Sequence, residues 1–467
     1  MFINAFILRV AGVSLVGSIL LATLPLSAQA ASEADRLEKL EQAVGQLQKR
    51  NAELEREVQE LKAKKSPFAP ILPESEGKAT AGNDNKAVFG APPPPPVEVH
   101  PAGPEFKLTL GGFIQANFEG GDVSAFEGRF GSTALKDRFR LRRARINLSG
   151  DFAENFDFKI EGDFEQGDGT SSGRTAFSAT DIFVNWHQFA EAQIKVGQYK
   201  APFGFEQITS DTKLFIIERS LPTGALTPER QIGVQIWGKP FEHVWPEQKD
   251  LVTYYAGIFN GNGRNTTNND NNNFMYVGRL ELLPFKGKLF GQDSSLKLGG
   301  DVLNSRDDAG TNISSAGNLR VNPDGSLSSF TIAGADERTA WSVDASLNLG
   351  RFDLIGEYLS EKVNGRTVGS VAPGFADFDA NGWYVQGSYF IIPKKLQTAV
   401  RWEDLNPGQV GNDGIHSITG GLNYYVRGDS IKLMGNYIHT WSDFREVNLS
   451  VGHSEFDEVI LRLQLMF

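Results

Sequence analysis

The last nine residues, 459–467, alternate strictly. Val459, Leu461, Leu463, Leu465 and Phe467 share one parity, and Ile460, Arg462, Gln464 and Met466 share the other. A two-residue period puts alternate side chains on opposite faces of a strand. The same pattern begins near Phe106, where Phe106, Leu108, Leu110, Ile114 and Phe118 oppose Lys107, Thr109, Gln115, Asn117 and Glu119. Ile146, Leu148 and Phe152 oppose Arg145, Asn147 and Asp151. After a tight turn at Ala153-Glu154-Asn155, Phe156, Phe158, Ile160 and Phe164 alternate with Asp157, Lys159, Glu161, Asp163 and Glu165. Further strands fall near 180–189, 192–199, 230–239, 250–259, 274–283, 296–303, 340–349, 352–359, 382–391, 396–404, 417–426, 430–441 and 456–467, sixteen in all. Short connections (Leu349-Gly350-Arg351, Arg427-Gly428-Asp429) are interleaved with long ones rich in Asn, Asp, Gly and Ser, at 260–273, 304–339 and 405–416.

A soluble sandwich needs about seven such strands, and this chain supplies many more. A membrane barrel asks only every second residue to be apolar. It must also close, because an open edge in lipid leaves backbone groups without partners. The expected fold is therefore all-β, a 16-stranded antiparallel transmembrane β-barrel over residues 106–467. Sixteen strands return both termini to one side and enclose a lumen wide enough for water. Tyr254, Trp341, Trp383, Tyr389, Trp402, Tyr437 and Trp441 sit near strand ends or on outward parities and are candidates for interfacial girdles.

The N-terminal part is organised differently. Residues 1–30 read as a signal peptide: Arg9 is the only charge, an apolar run follows, and Ala28-Gln29-Ala30 offers small residues for cleavage. A single membrane anchor is the competing reading. In 31–66, Leu37, Val44, Asn51 and Val58 alternate at 3-4 spacing with Leu40, Leu47, Leu54 and Leu61, the seam of a short N-terminal coiled coil. The β-branched/Leu seam favours two strands, whereas a trimeric barrel would require three; a helix packed on its own barrel is the bland alternative. Residues 67–105 form a linker with prolines at 92–96, a semi-rigid spacer.

Composition adds limits. With no Cys there are neither disulfides nor thiolate metal sites, and a net charge of −11 argues against nucleic-acid binding. The five histidines outside the linker, His187, His243, His416, His439 and His453, are dispersed, and no catalytic, metal or cofactor site is expected. Residues 31–105 provide coil and spacer rather than the plug domain of an energised receptor.

Two stretches carry candidate chemistry. Residues 137–145 read D-R-F-R-L-R-R-A-R. Phe139 and Leu141 have the opposite parity from Ile146 and Leu148, so the strand either bulges or starts late. In both cases Arg143 and Arg145 face the lumen, where guanidinium groups suit phosphate oxygens. The second stretch is the non-alternating connection 200–230, long enough to fold into the lumen and narrow it. Lys213, Arg219 and Arg230 would then face Arg143 and Arg145, with Lys159 and Lys195 adding positive charge from lumen parities. Asp157, Glu161, Asp163, Glu165, Glu206 and Glu218 share these surfaces and are available as partners.

From about Phe106 to Phe467 the chain resembles the phosphate-selective porin O and P family of bacterial outer membranes. The resemblance rests on R-L-R-R-A-R at 140–145, I-K-V-G-Q-Y-K-A-P-F-G at 194–204, E-R-S-L-P at 218–222 and R-Q-I-G-V-Q at 230–235. It implies a trimeric sixteen-stranded barrel with a constriction loop, passing small inorganic anions, phosphate included. The expectation is a bacterial outer-membrane porin among lipids, assembled as a homotrimer, with the coiled coil in the periplasm. A general porin for ions and small polar solutes is the alternative. A structural envelope protein whose coil contacts the cell wall is another.

Overall fold

The computed structural model describes residues 106–122, 137–165, 177–306, 336–365, 376–451 and 453–467, together with Lys49, Val97–Val99, Arg320–Val321 and Leu327–Ser328. The signal peptide and the coiled coil fall outside the described residues, apart from Lys49, which is helical. Most of the linker lies outside them as well.

Alternation becomes a wall within the unit Pro92–Phe467. Its strands are β1 (Lys107–Gly121), β2 (Arg138–Phe152), β3 (Phe156–Asp163), β4 (Ser178–Phe189), β5 (Ala192–Lys200), β6 (Arg230–Gly238), β7 (Val252–Phe259) and β8 (Met275–Leu289). They continue with β9 (Gln292–Ser305), β10 (Asp336–Leu349), β11 (Phe352–Gly365), β12 (Phe378–Ile392), β13 (Leu396–Asn406), β14 (Ile415–Arg427), β15 (Ile431–Ser442) and β16 (Glu455–Met466). Each strand pairs antiparallel with its neighbours in sequence. β16 returns to β1, with Leu461 opposite Phe118 and Met466 opposite Phe113, so the sheet closes at sixteen strands. The end of the linker departs from a plain spacer. Val97–Val99 forms a short strand against Leu108–Leu110 of β1, beyond the point where β16 has run out.

The faces sort as the period requires. On β16, Val459, Leu461, Leu463, Leu465 and Phe467 are exposed on the outside, while Ile460, Arg462 and Gln464 are buried inside. Outward aromatic side chains gather at both rims. Trp341, Trp383 and Trp402 lie toward the long-loop end, where Trp402 packs against Trp441 at 5.3 Å between ring centres. Tyr389, Tyr424 and Phe467 lie toward the short-turn end. Amphipathic rings favour these two levels of a bilayer.

Tight turns join one end. Ala153 and Glu154 both take positive φ, 48° and 61°, the twist that suits a hairpin. One connection at this end is longer than the alternation suggests. From Lys239 to Leu251 the chain makes a 3₁₀ turn at Pro246–Gln248, tied down by Lys239 to Asp250 at 2.7 Å and His243 to Glu191 at 2.6 Å.

An outward-facing charge at mid-wall should be costly. Leu461→Arg is expected to destabilise the folded barrel by about 2–4 kcal/mol. Denaturant titration of the protein folded into vesicles measures this, and the inward neighbour Ile460→Val should cost no more than about 1.5 kcal/mol.

Candidate functional site

The arginine-rich entry to β2 contains a bulge. Gln115 of β1 pairs with Arg143 and the next residue, Ala116, pairs with Leu141, leaving Arg142 as the extra residue. Phe139 and Leu141 therefore point outward with Ile146, while Arg142, Arg143 and Arg145 all reach inward-facing partners. The sequence conflict of parity resolves as one inserted residue; it also turns Arg138 and Arg140 inward to Glu119, so five guanidiniums gather where plain alternation would give two.

Those partners come chiefly from the connection 201–229, which enters the lumen after β5 and crosses to the opposite wall. Its start is fixed by Gly204, at φ 82°, where a Cβ would lie 2.7 Å from Thr227. The amide of Gly204 donates to Asp301 on β9 at 2.9 Å, and that of Phe205 to Glu357 on β11 at 2.7 Å. A helical turn, α1 (Phe205–Ile208), carries Glu206, which accepts from the Ser220 amide at 2.7 Å and from Arg401 of β13. Ser220 then caps α2 (Leu221–Leu226), with Pro222 in its first turn. The Leu221 amide donates to Glu403 at 2.8 Å. Leu221, Ala225 and Leu226 join Phe203, Leu359, Phe378, Leu405 and Ile415 in an apolar core inside the barrel. Between the helices, Lys432 of β15 donates to the carbonyls of Thr212 and Leu214, and Asn436 accepts from Ile217.

Charges complete the attachment. Asp211, near the middle of the loop, accepts from Arg145 at 2.7 Å and Arg219 at 2.5 Å and lies 3.3 Å from Arg143. Glu218 pairs with Arg142 at 3.0 Å and Arg462 of β16 at 2.6 Å. Burial alone would raise the Asp211 carboxyl, but Arg143, Arg219 and Arg145 outweigh it and hold it well below the ordinary carboxylate range.

Of the seven candidate cations, five therefore lie in one network of alternating charge. From Asp211 it passes through Arg145 to Glu161 (3.8 Å), which also meets Lys159 (2.9 Å) and Arg230 (4.0 Å). Lys159 and Arg230 share Asp181 at 3.1 and 2.6 Å. Lys213 does not face the arginines across a gap. It is mostly exposed and pairs with Asp429 in the β14–β15 turn.

Lys195 stands apart chemically. Its ammonium lies 4.5 Å from the ring centre of Phe183, 5.4 Å from Tyr199 and 5.6 Å from Trp237, and no carboxylate is recorded within 4.0 Å among the described residues. It borders a cavity of ≈ 440 Å³ between the loop and strands β4–β9. Lys200 borders the same cavity and donates to two loop carbonyls, Gln207 at 2.7 Å and Thr209 at 3.0 Å, rather than to a carboxylate. Lys297 is there too, paired with Glu281 at 2.7 Å. Reading the sequence alone misses Lys200, because it falls where the strand pattern stops, and Lys297, because nothing local distinguishes it.

The family profile described as phosphate-selective porin O and P matches residues 110–467. The chain belongs to this porin family. Solved structures with the same fold include the OmpF of Salmonella typhi in complex with daunomycin, at 13% identity and TM-score 0.53, covering 79% of this chain and 100% of that one. The outer-membrane channel DcaP of Acinetobacter baumannii is similar at 14% identity and TM-score 0.50, covering 78% and 98%. The trimer form of OmpT from Vibrio cholerae is similar at 12% identity and TM-score 0.50, covering 78% and 100%. At these identities the likeness concerns the fold. No curated protein has a matching sequence. All four of the porin's motif segments take part in this interior: 140–145 forms the bulge, 194–204 leads into the loop, 218–222 caps α2, and 230–235 leads out of it.

Asp211 gives the porin a defined acid response. A carboxylate with a depressed folded pKa stabilises fully above its unfolded value, about 3.9 for Asp, and that contribution is lost as pH falls through the folded value. The part of the conductance change that Asp211 carries should appear only below about pH 4, and Asp211→Asn should remove it. Asp211→Asn should produce the acid behaviour at neutral pH, with larger and noisier currents. Lys213→Gln, which removes an exposed pair worth at most about 1 kcal/mol, should not.

Proposed function

We propose that this porin is a passive conduit for small anions, phosphate among them, across the outer membrane, and that it performs no covalent chemistry. The observation that carries the reading is the pair Lys195 and Lys200, bordering the interior cavity with no carboxylate within 4.0 Å of either ammonium among the described residues. An anion entering there meets two lysine side chains that are not locked into close ion pairs. Ammonium groups act as point charges on flexible stems. Several weak sites of this kind admit an ion and let it leave, which conduction requires. Arg143, Arg145, Arg219, Arg230 and Lys159 contribute a polarised wall rather than vacant sites.

Those same pairings favour a second reading, a general porin in which crossed charges order water and solutes without choosing between signs. The two differ in one measurement. In planar bilayers under a salt gradient, the reversal potential should report chloride permeating more readily than potassium. Lys195→Gln should reduce that preference, and so should Arg143→Gln with Arg145→Gln, which leaves Asp211 and Glu161 undercompensated. Equal permeability would leave the general porin. Block of chloride current by added phosphate tests the narrower claim.

The assembly we propose is a homotrimer, the form named for the Vibrio cholerae OmpT structure. In the same proposal residues 31–66 form a periplasmic coiled coil that carries the wall-facing part of the chain.

A further inference from the structure

The cavity beside Lys195 mixes polar and charged groups, Gln235 and Thr209 among them, with aromatic ones. Lys195 and Lys200 supply charge, while Phe183, Tyr199, Phe205 and Tyr255 supply rings. The carboxylates at its border are already engaged: Asp181 by Arg230 and Lys159, and Glu281 by Arg279 and Lys297. They do not offset the two lysines at contact distance. The guanidiniums that would best match the oxygens of inorganic phosphate are committed as well, Arg143, Arg145 and Arg219 to Asp211 and Arg230 to Asp181.

A strongly hydrated anion gains little from such a lining, because aromatic walls cannot replace the water it would shed. An anion with a flat apolar body gains at both ends. Its carboxylate meets an ammonium, and its ring meets other rings at their preferred offset or edge-on contacts. A pocket of a few hundred Å³ that sets fixed polar groups against apolar surface is a usual form of small-molecule site. The residues concerned come from β4, β5, β7 and the loop 201–229, so the site lies between the barrel wall and that loop.

We propose that this cavity is a binding station for small aromatic carboxylates, with Lys195 taking the carboxylate and Tyr255 and Phe205 flanking the ring. The inference rests on the anion-channel reading and narrows its solute. Inorganic phosphate passes, but the station holds it less well than an organic anion of lower charge.

The test uses the full protein in planar bilayers, reading block of chloride current by benzoate, acetate and inorganic phosphate at equal concentration. Benzoate should block at about tenfold lower concentration than acetate, the weight of one aromatic contact. Lys195→Gln should weaken benzoate block about tenfold, and Tyr255→Leu by a smaller factor, about fivefold. Benzoate and acetate blocking alike in the unsubstituted protein would overturn the inference without recourse to any variant. So would phosphate blocking more tightly than benzoate, or benzoate block unchanged in both variants. A reversal potential with no anion preference would instead sink the anion-channel reading beneath it. Anion preference without benzoate selectivity would remove the binding station alone.

Discussion

Everything in this molecule depends on β16 finding β1. Hydrocarbon offers no hydrogen-bond partners, so a sheet standing in it cannot keep an edge. The terminal residue makes the seam: the amide of Phe467 donates to the carbonyl of Gly112 at 3.1 Å, and the amide of Gly112 donates back at 2.9 Å. Once the sheet is a cylinder, parity decides the fate of each side chain. A residue is either on the apolar outside with Leu461 or inside with Arg462. The slip of one residue would exchange the two sets entirely, which is why the period is so strict in the closing strand.

The interior inherits a difficulty from that arrangement. Inward positions of many strands carry charge, and charges crowded behind a wall must be paired or hydrated. The constriction loop answers this on one side. It brings Asp211 and Glu218 to the arginines of β2 and β16, while its backbone amides satisfy Asp301, Glu357 and Glu403 on the far wall. The attachment is spread over many strands and mixes ion pairs with an apolar core around α2. Breaking one buried partner leaves an uncompensated charge at a cost of about 3–5 kcal/mol. That figure makes the loop a fixed part of the wall in ordinary conditions rather than a moving gate.

Much of this was legible in the residues. The strand count, the tight turns at 349–351 and 427–429, and the inward placement of Arg143 and Arg145 follow from a period of two, which is local information. The connection 200–230 announced itself by lacking that period. Its partners did not. Arg145 meets Asp211 across 66 residues, and Arg462 meets Glu218 across 244, so no window along the chain contains both members. The pairing of Lys213 is hidden for the same reason, since its partner Asp429 lies in a turn 216 residues away. The bulge at Arg142 was visible as a conflict of parity, but which residue was extra depends on pairing with Gln115 and Ala116.

The selectivity argument turns on what pairing does to a charge. An arginine bound to a carboxylate keeps its formal charge, yet the pair presents a dipole to a passing ion, and a dipole's field falls away faster than a monopole's. The densest cationic segment in the sequence is therefore not where the lumen has most unspent positive charge. Two of the lysines at the cavity are held differently, Lys195 by rings and Lys200 by carbonyl oxygens. Aromatic faces and peptide oxygens stabilise an ammonium while leaving its field available to an anion. The tight Arg–carboxylate cluster and the lysines outside it share one wall, with Lys200 directly opposite Arg230 in the β5–β6 pair, so the state of a charge in this interior is set residue by residue, by which partner the neighbouring strand or the loop supplies.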